Sequence, residues 1–222
     1  MRDKRTSVEK YCTFAYPLGE GVRLLRVKLG WDMKEQSFKE RLQGRMEIAM
    51  TGSSKNIYDL NLAAIVEYSD GSKPELIYHH GLSGHGCDET GSILLGKDDR
   101  TGFGTGSDET MDIHMLTLDE SVSRIILFMN IGGANAMRQK LADVDGVFVQ
   151  IENVDRAEVI LREEEAFKTE EAKKFCEYTF AEICREKTGW VLRGRRRYSV
   201  EDNEHQTLRA EMGKDAMDEM EY

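Results

Sequence analysis

Apolar and polar residues alternate along much of this chain in short runs, the pattern expected of β-strands. Val147, Val149 and Ile151 share one parity, while Phe148 and Gln150 take the other. Successive side chains of a strand point to opposite faces, so this run predicts a half-buried strand. Comparable runs are separated by Gly, Asp, Asn and Ser. The pattern predicts strands at residues 11–15, 22–30, 60–68, 75–79, 93–95, 111–115, 124–130, 147–152 and 157–161.

A stretch near the C-terminus has the spacing of an amphipathic helix instead. Residues 169–187 place apolar side chains at i, i+3, i+4 and i+7, namely at Ala172, Phe175, Cys176, Thr179, Phe180, Ile183 and Cys184. Thr169 is a suitable N-cap, and Thr188 with Gly189 would end the helix before a last strand that begins at Trp190. The sequence therefore predicts a mostly β protein, a β-sandwich of two sheets with one amphipathic helix packed on a sheet.

The chain divides into a central domain and two polar flanks. Residues 1–10 are interpreted as a polar lead-in and residues 201–222 as an acidic tail, so the domain is predicted over residues 11–200. Inside it, residues 33–56 are polar and lack a steady period, which indicates an insertion. A chain of 222 residues is long enough for one well-buried core.

Charge and cysteine content narrow the class of protein. The 31 basic and 41 acidic residues give a net charge of −10, which repels nucleic acid and anionic lipid and attracts cations. The four cysteines form no CxxC pair and are interpreted as reduced thiols. No apolar run has the length of a signal segment or a membrane span. We therefore expect a cytoplasmic protein that binds no nucleic acid and does not insert into a membrane.

An acidic, glycine-rich loop is the strongest candidate for chemistry. Its glycines lie between four acidic residues: Asp98, Asp99, Asp108 and Glu109. Calcium takes several hard oxygen ligands, and glycines can adopt the positive φ that turns carbonyls inward. Asp59 and Asn61 lie two apart on a predicted strand, hence on one face, and are expected to complete the site. The spacing does not fit an EF-hand, and the residues by themselves also allow an ordinary solvated acidic turn.

This loop and two strand motifs resemble the tellurium-resistance TerD family. Residues 29–32 read LGWD, as in the family, residues 58–64 (YDLNLAA) are similar to FDLDxSA, and residues 98–109 (DDRTGFGTGSDE) are similar to DNRTGxGDGDDE. The resemblance spans roughly residues 22–198. It implies a β-sandwich whose acidic loops hold calcium, in bacterial proteins of tellurite resistance and general stress, with other stress-complex proteins as partners. The sequence departs from the pattern at Asn61, Thr105 and Ser107, where the family has acidic residues.

Three hypotheses follow. The first is a calcium-binding module and not an enzyme, with the metal held by Asp59, Asn61, Asp98, Asp99, Asp108 and Glu109. The second is a metal-free interaction scaffold of the same fold, which the replacements of acidic residues favour. The third is a zinc-dependent or nucleotide-dependent enzyme.

Other clusters have plainer interpretations. His79, His80, His85 and Cys87 are dense enough for zinc, but their spacing matches no standard finger. The glycines of residues 102–106 are followed by a predicted strand rather than by the helix N-terminus of a phosphate site. Arg193, Arg195, Arg196 and Arg197 form a basic patch, which we interpret as an exposed strand end paired with the acidic tail.

Overall fold

The computed structural model describes residues 7–10, 14–32, 42, 46, 50, 58–79, 86–99, 102, 106–132, 134 and 138–199. The described strands are β1 (Ser7–Lys10), β2 (Ala15–Leu18), β3 (Leu24–Asp32), β4 (Leu60–Tyr68), β5 (Glu75–Ile77), β6 (Ile93–Leu95), β7 (Glu109–His114), β8 (Val122–Ile131), β9 (Asp145–Asn153), β10 (Glu158–Glu163), β11 (Glu177–Glu186) and β12 (Gly189–Ser199). One-turn 3₁₀ helices lie at Leu141–Asp143, Val154–Arg156 and Glu165–Lys168.

The strands form two antiparallel sheets. The larger sheet has the order β1-β12-β11-β8-β4-β5, with β2 also paired to β12. The smaller sheet has the order β10-β9-β3-β7-β6. The inner faces of both sheets contribute to one apolar core, in which Leu62 and Leu127 of the larger sheet join Val27 and Ile151 of the smaller one. The predicted two-sheet, mostly β architecture is confirmed.

Most of the predicted strands are confirmed, with ends that agree to within two residues. The match is complete for Leu60–Tyr68 and Ile93–Leu95. The predicted shared face of Val147, Val149 and Ile151 is also confirmed, since all three side chains are buried in the core. The prediction for 11–15 falls largely on residues outside the described part of the chain.

The predicted helix at residues 169–187 is wrong. This stretch begins with turns and continues as β11, a ten-residue strand between β8 and β12. A two-residue turn then leads to β12, where Glu186 pairs with Gly189. Phe175, Phe180 and Ile183 are buried, as their apolar character suggests, but they are buried in a turn and a strand.

A β-bulge explains the misleading spacing. Thr179 pairs with Phe128 and Ala181 pairs with Leu127, so Phe180 is an extra residue with no partner of its own on β8. An extra residue shifts the strict period of two, and the apolar positions before and after the bulge then imitate helical spacing. Both faces of this part of β11 are buried, which removes the polar positions that would have marked a strand.

A ladder of alternating charges crosses the outer face of the larger sheet. Arg124 donates to Glu67 at 2.8 Å and to Glu182 at 3.3 Å. Arg195 donates to the same Glu182 oxygen at 3.4 Å and to Glu9 at 2.7 Å. Five neighbouring strands therefore each contribute one charged residue, and Glu182 links the two arginines.

Several further predictions concern regions that the structure describes only in part. Within the predicted insertion at 33–56 it describes Leu42, Met46 and Met50, whose side chains are exposed. The predicted tail at 201–222 lies outside the described residues. Of the described cysteines, Cys87, Cys176 and Cys184 are not joined in disulfide bonds. Among the described residues, no helix has both the length and the apolar character needed to cross a membrane.

Candidate functional site

The predicted acidic residues meet at one end of the sandwich. Asp59 precedes β4, Asp98 and Asp99 follow β6, and Asp108 leads into Glu109, the first residue of β7. Leu29 near the end of β3 pairs with Glu109, so these two strand ends adjoin. We call Asp59, Asp98, Asp99, Asp108 and Glu109 the acidic corner.

Glu109 is the most deeply placed member of the acidic corner. It shares the inward-facing parity of Met111 and Ile113 on β7, and it is 1% exposed. Its Oε2 accepts a hydrogen bond of 2.6 Å from the backbone N–H of Leu62 on the opposite sheet. Its Oε1 is buried without a hydrogen-bond partner. Glu109 thus bridges the two sheets with one oxygen and leaves the other unsatisfied.

Burial and like charges act together on Glu109. Burial is the largest cause that raises the pKa of its carboxyl, to about 9, and the Leu62 N–H acts in the opposite direction. Repulsion from Asp98 and Asp59 raises the pKa further, and the backbone N–H of Asp99 lowers it. The carboxyl is therefore neutral at pH 7 unless a positive charge replaces its proton.

Asp108 holds the end of β3. Its backbone N–H donates to the Leu29 carbonyl at 2.9 Å, and its Oδ2 accepts from the backbone N–H of Trp31 at 2.8 Å. Burial is the largest cause that raises the pKa of Asp108, the Trp31 N–H lowers it, and Asp99 and Asp32 raise it again. These couplings place Asp99 and Asp32 close to Asp108.

Asp59 and Asn61 share one side of the chain, as predicted, because the Asp59 Oδ2 and the Asn61 Nδ2 both adjoin Gly132. The Asn61 side chain lies on the outer face of β4, because Leu60 and Leu62 on either side of it belong to the core. Its Nδ2 donates to the Asp59 carbonyl at 3.3 Å. The Gly132 N–H donates to that same carbonyl at 2.7 Å. Asn61 therefore helps to fix the backbone of Asp59, and it lies on a different side of β4 from Glu109.

Asp32 and Asp145, two acidic residues that were not predicted to belong to the site, lie next to the acidic corner. Asp32 ends β3 and pairs across the sheet with Asp145. The register of β3 against β9 shifts between Gly30 and Asp32, so the pair could not be derived from alternation alone. The next residue, Gly146, has φ +63, and a Cβ there would overlap the Asp32 carboxylate. A glycine is therefore required where the backbone meets Asp32.

Trp31 lies beside the loop that carries the acidic corner. Its side chain is 3% exposed, and its indole Nε1 has no hydrogen-bond partner. The pyrrole part of the indole packs against Gly102, where φ is +58 and a Cβ would collide with the ring. The Gly102 N–H donates to Asp99 Oδ1 at 3.1 Å. The indole and the acidic corner therefore adjoin the same loop.

The carboxylates are assembled in one region without closing on one point. Among the described residues, no three His, Cys, Asp or Glu side chains are placed to hold a metal ion together. The donors that are present are hard oxygens, which suit calcium better than zinc.

The structure gives little support to a zinc site at the histidine and cysteine cluster or to a phosphate site at the glycine loop. Of the histidine and cysteine cluster, the described residues are His79, whose Nε2 lies 3.0 Å from the Gly96 carbonyl, and the exposed Cys87. The glycine loop is followed by strand β7, as predicted, and a strand lacks the N-terminal dipole of a phosphate-binding helix.

The arginines of β12 have acidic partners within the sheets. Arg193 is paired with Glu186, and Arg196 with Glu163 at 2.8 Å. Arg195 belongs to the charge ladder. The predicted pairing with the tail is not needed to account for these three, and their charge is already offset.

Comparisons with known proteins agree on one family. A family model for the TerD domain matches residues 17–195. The tellurium resistance protein TerX of Serratia marcescens is 28% identical over 202 residues, covering 79% of this chain and 88% of that protein. The tellurium resistance protein TerD of Serratia marcescens is 26% identical over 170 residues, covering 75% and 76%.

A solved structure shows the same fold. The crystal structure of a homologue of the telluride resistance protein TerD from Streptomyces coelicolor has a TM-score of 0.62 and 22% sequence identity to this chain. The alignment covers 87% of this chain and 99% of that structure. This likeness concerns the architecture of the two sheets.

Proposed function

The chain belongs to the TerD family of tellurium-resistance proteins, and from this premise we propose that it is a calcium-binding β-sandwich module. In this proposal it acts by binding and not as an enzyme, and it engages other proteins of a cytoplasmic stress complex. The acidic corner is the binding site. Its relatives carry the names of tellurium resistance proteins, which supports a role in the same kind of stress.

Glu109 Oε1 has no hydrogen-bond partner of standard geometry, although the Asp99 N–H lies near enough to lower the pKa of the carboxyl, and this oxygen is the observation that supports a cation most directly. A buried polar atom without a partner costs free energy, on the order of 1–3 kcal/mol, and is uncommon in native proteins. Asp98 and Asp59 are close enough to repel Glu109. A divalent ion would relieve both the unsatisfied oxygen and this repulsion.

The donor set fits calcium. Carboxylates of Asp59, Asp98, Asp99, Asp108 and Glu109 would hold the ion, while Asn61 would position the Asp59 backbone. Calcium accepts six to eight oxygens in flexible arrangements, so water and loop carbonyls can supply the remainder. Bound calcium would supply positive charge that neutralises the corner and keeps its carboxylates ionised. Because Asp108 and Glu109 already accept backbone hydrogen bonds, we expect weak affinity, with a Kd on the order of 10⁻⁵ to 10⁻³ M.

Calorimetry and thermal unfolding test this proposal. Calcium should give a saturable heat signal in calorimetry and raise Tm, because a ligand that binds the native state stabilises it by mass action. Magnesium should substitute poorly, since it requires a tighter octahedron. Glu109→Gln and Asp108→Asn should each remove the calcium-dependent rise in Tm.

A matched control comes from the far end of β4. Asp70 is exposed and accepts a hydrogen bond from the Ser72 N–H at 2.8 Å, which an asparagine oxygen can also accept. Asp70→Asn removes one negative charge outside the acidic corner, so the calcium response should be unchanged. An equal loss in Asp70→Asn and Asp108→Asn would assign the effect to net charge and contradict a site at the corner.

A metal-free interaction scaffold is the second candidate. It is favoured by the absence, among the described residues, of three metal-ligating side chains arranged around one point. It is also favoured by Asn61, whose side chain faces away from Glu109. If millimolar calcium changes neither Tm nor the heat signal of the unmutated protein, this scaffold replaces the calcium module.

A further inference from the structure

Three apolar side chains of the predicted insertion form a stripe on the surface. Leu42, Met46 and Met50 adopt a helical backbone conformation, and they are 53%, 58% and 81% exposed. Residues four apart share one face of a helix, so the three side chains line up. Single exposed apolar side chains are common, whereas contiguous ones mark interaction surfaces. We call these three residues the exposed stripe.

The acidic tail, residues 201–222, carries apolar residues at the same spacing. Leu208, Met212, Ala216 and Met220 are each four residues apart. This spacing predicts one apolar face when the segment is helical. Methionine is flexible and packs well against an irregular apolar surface. The row at 208, 212, 216 and 220 therefore has the character that the exposed stripe needs in a partner.

Charge favours contact between the two segments. Residues 33–56 contain five basic and three acidic residues, a net charge of +2. Residues 201–222 contain two basic and eight acidic residues, a net charge of −6. The chain has a net charge of −10, which leaves −6 on all other residues together. The acidic tail is therefore attracted to the predicted insertion and repelled by the rest of the chain.

The topology brings the two segments to the same end of the larger sheet. Ser199 ends β12, and pairing places it in one row with Glu177 of β11, Asn130 of β8 and Asn61 of β4. Neighbouring strands are about 4.8 Å apart, so three spacings put Ser199 about 14 Å from Asn61. The predicted insertion leads into β4 at this end. Leu208 follows Ser199 by nine residues, which can span up to about 30 Å.

We propose that the acidic tail docks on the exposed stripe of its own molecule, with the apolar row of the tail against Leu42, Met46 and Met50. A short tether keeps the tail at an effective concentration on the order of 1 mM, so a weak contact is sufficient within one molecule. The docked tail covers an apolar surface. Access of another protein to the exposed stripe then depends on displacement of the tail.

Methyl NMR of the whole chain tests the contact. Selective labelling of methionine methyl groups gives signals for Met46 and Met50, which Met46→Leu and Met50→Leu assign. We expect a nuclear Overhauser effect between the Met212 methyl and at least one of these two, because this effect requires close contact. The signals of Met111 and Met129, which are buried in the core, report whether the fold is intact.

Met212→Gln replaces one apolar side chain of the row by a polar one of similar length. The Met46 and Met50 signals should shift, since the variant releases the tail, while the core signals stay in place. Met217→Gln is the matched control, because Met217 belongs to the same tail but lies outside the row of four-residue spacing. It should leave the Met46 and Met50 signals where they are in the wild type.

The possible outcomes separate the occupants of the exposed stripe. Docking within one molecule makes the shifts independent of protein concentration. Shifts that depend on concentration, together with a dimer in sedimentation, would overturn this proposal and assign the exposed stripe to the tail of a second copy. If the Met46 and Met50 signals are the same in wild type and Met212→Gln, the tail does not contact the stripe and the proposal fails. Equal shifts in Met212→Gln and Met217→Gln would contradict docking through the apolar row. The test uses no calcium, so its failure leaves the calcium module standing.

Discussion

The buried carboxyl of Glu109 should make the calcium-free protein lose stability as the pH rises. The pKa of this group is raised from 4.5 to about 9 by burial, so the folded chain keeps a proton that the unfolded chain releases. Stability then falls with pH wherever the folded state binds more protons, which here is the interval from about pH 4.5 to 9. The stabilisation is therefore fully present below the lower value and is lost as the pH approaches the higher one.

The magnitude follows from one proton. A difference of one bound proton changes the free energy of unfolding by about 1.4 kcal/mol per pH unit. Between pH 5 and pH 8 the contribution of Glu109 is then about 4 kcal/mol. This is a large part of the 5–15 kcal/mol by which native domains are typically stable. Urea unfolding in EGTA at several pH values measures it.

Glu109→Gln isolates the contribution of this carboxyl from other titrating groups. Glutamine keeps an oxygen for the Leu62 N–H and has no proton to lose, so the difference in stability between variant and wild type should grow in favour of the variant as the pH rises. With saturating calcium, the wild type should lose most of its dependence on pH between 5 and 8. Parallel curves for wild type and Glu109→Gln in EGTA would show that this carboxyl titrates normally, and would refute the buried, repelled state on which the calcium proposal depends.

Two further changes test the fold. Phe180→Ala should lower the free energy of unfolding in urea by about 3–5 kcal/mol, since Phe180 is fully buried at the bulge of β11. The control Val159→Ala, at a side chain that is 52% exposed, should lower it by less than about 0.5 kcal/mol. Equal effects would contradict the placement of Phe180 in the core. Glu182→Gln should lower the free energy of unfolding by about 1–2 kcal/mol, because Glu182 joins Arg124 and Arg195 in the charge ladder. It should also make the stability less sensitive to salt. The exposed Glu120→Gln is its control, and an equal salt response in both variants would show that the ladder does not act as a unit.

Local alternation was enough to predict most of the strands, because each has a buried face and ends at turn residues. In β7, for example, Glu109, Met111 and Ile113 share one parity, and the two apolar members fix the inward face. The prediction failed at β11, where the extra residue Phe180 breaks the period of two. Local spacing cannot distinguish a bulged strand with two buried faces from a helix, because the partners that decide between them, β8 and β12, are distant in sequence.

The sequence predicted which carboxylates come together, but not how each of them is held. The carboxylates that flank the glycine loop do share one corner with Asp59. Their separate roles depend on contacts across the fold: Glu109 reaches Leu62 on the other sheet, and Asp32 meets Asp145 through a shifted register. The parity of Glu109 with Met111 was the available signal that this carboxylate points inward. No comparable local signal marks the Trp31 indole as an unsatisfied donor.

The end of the short strand β5 explains why a carboxylate reaches into the core at this position. The β5 ladder covers Ala64–Val66 of β4, and Leu62 lies beyond it. The Leu62 amide is buried and needs an acceptor, which Glu109 provides from the other sheet. A glutamine would satisfy that amide without the repulsion from Asp98 and Asp59, so the fold needs the oxygen but does not need the charge. A titratable carboxyl that the fold does not require, buried beside other carboxylates, is what the proposed cation site would account for, because a bound cation would replace its proton.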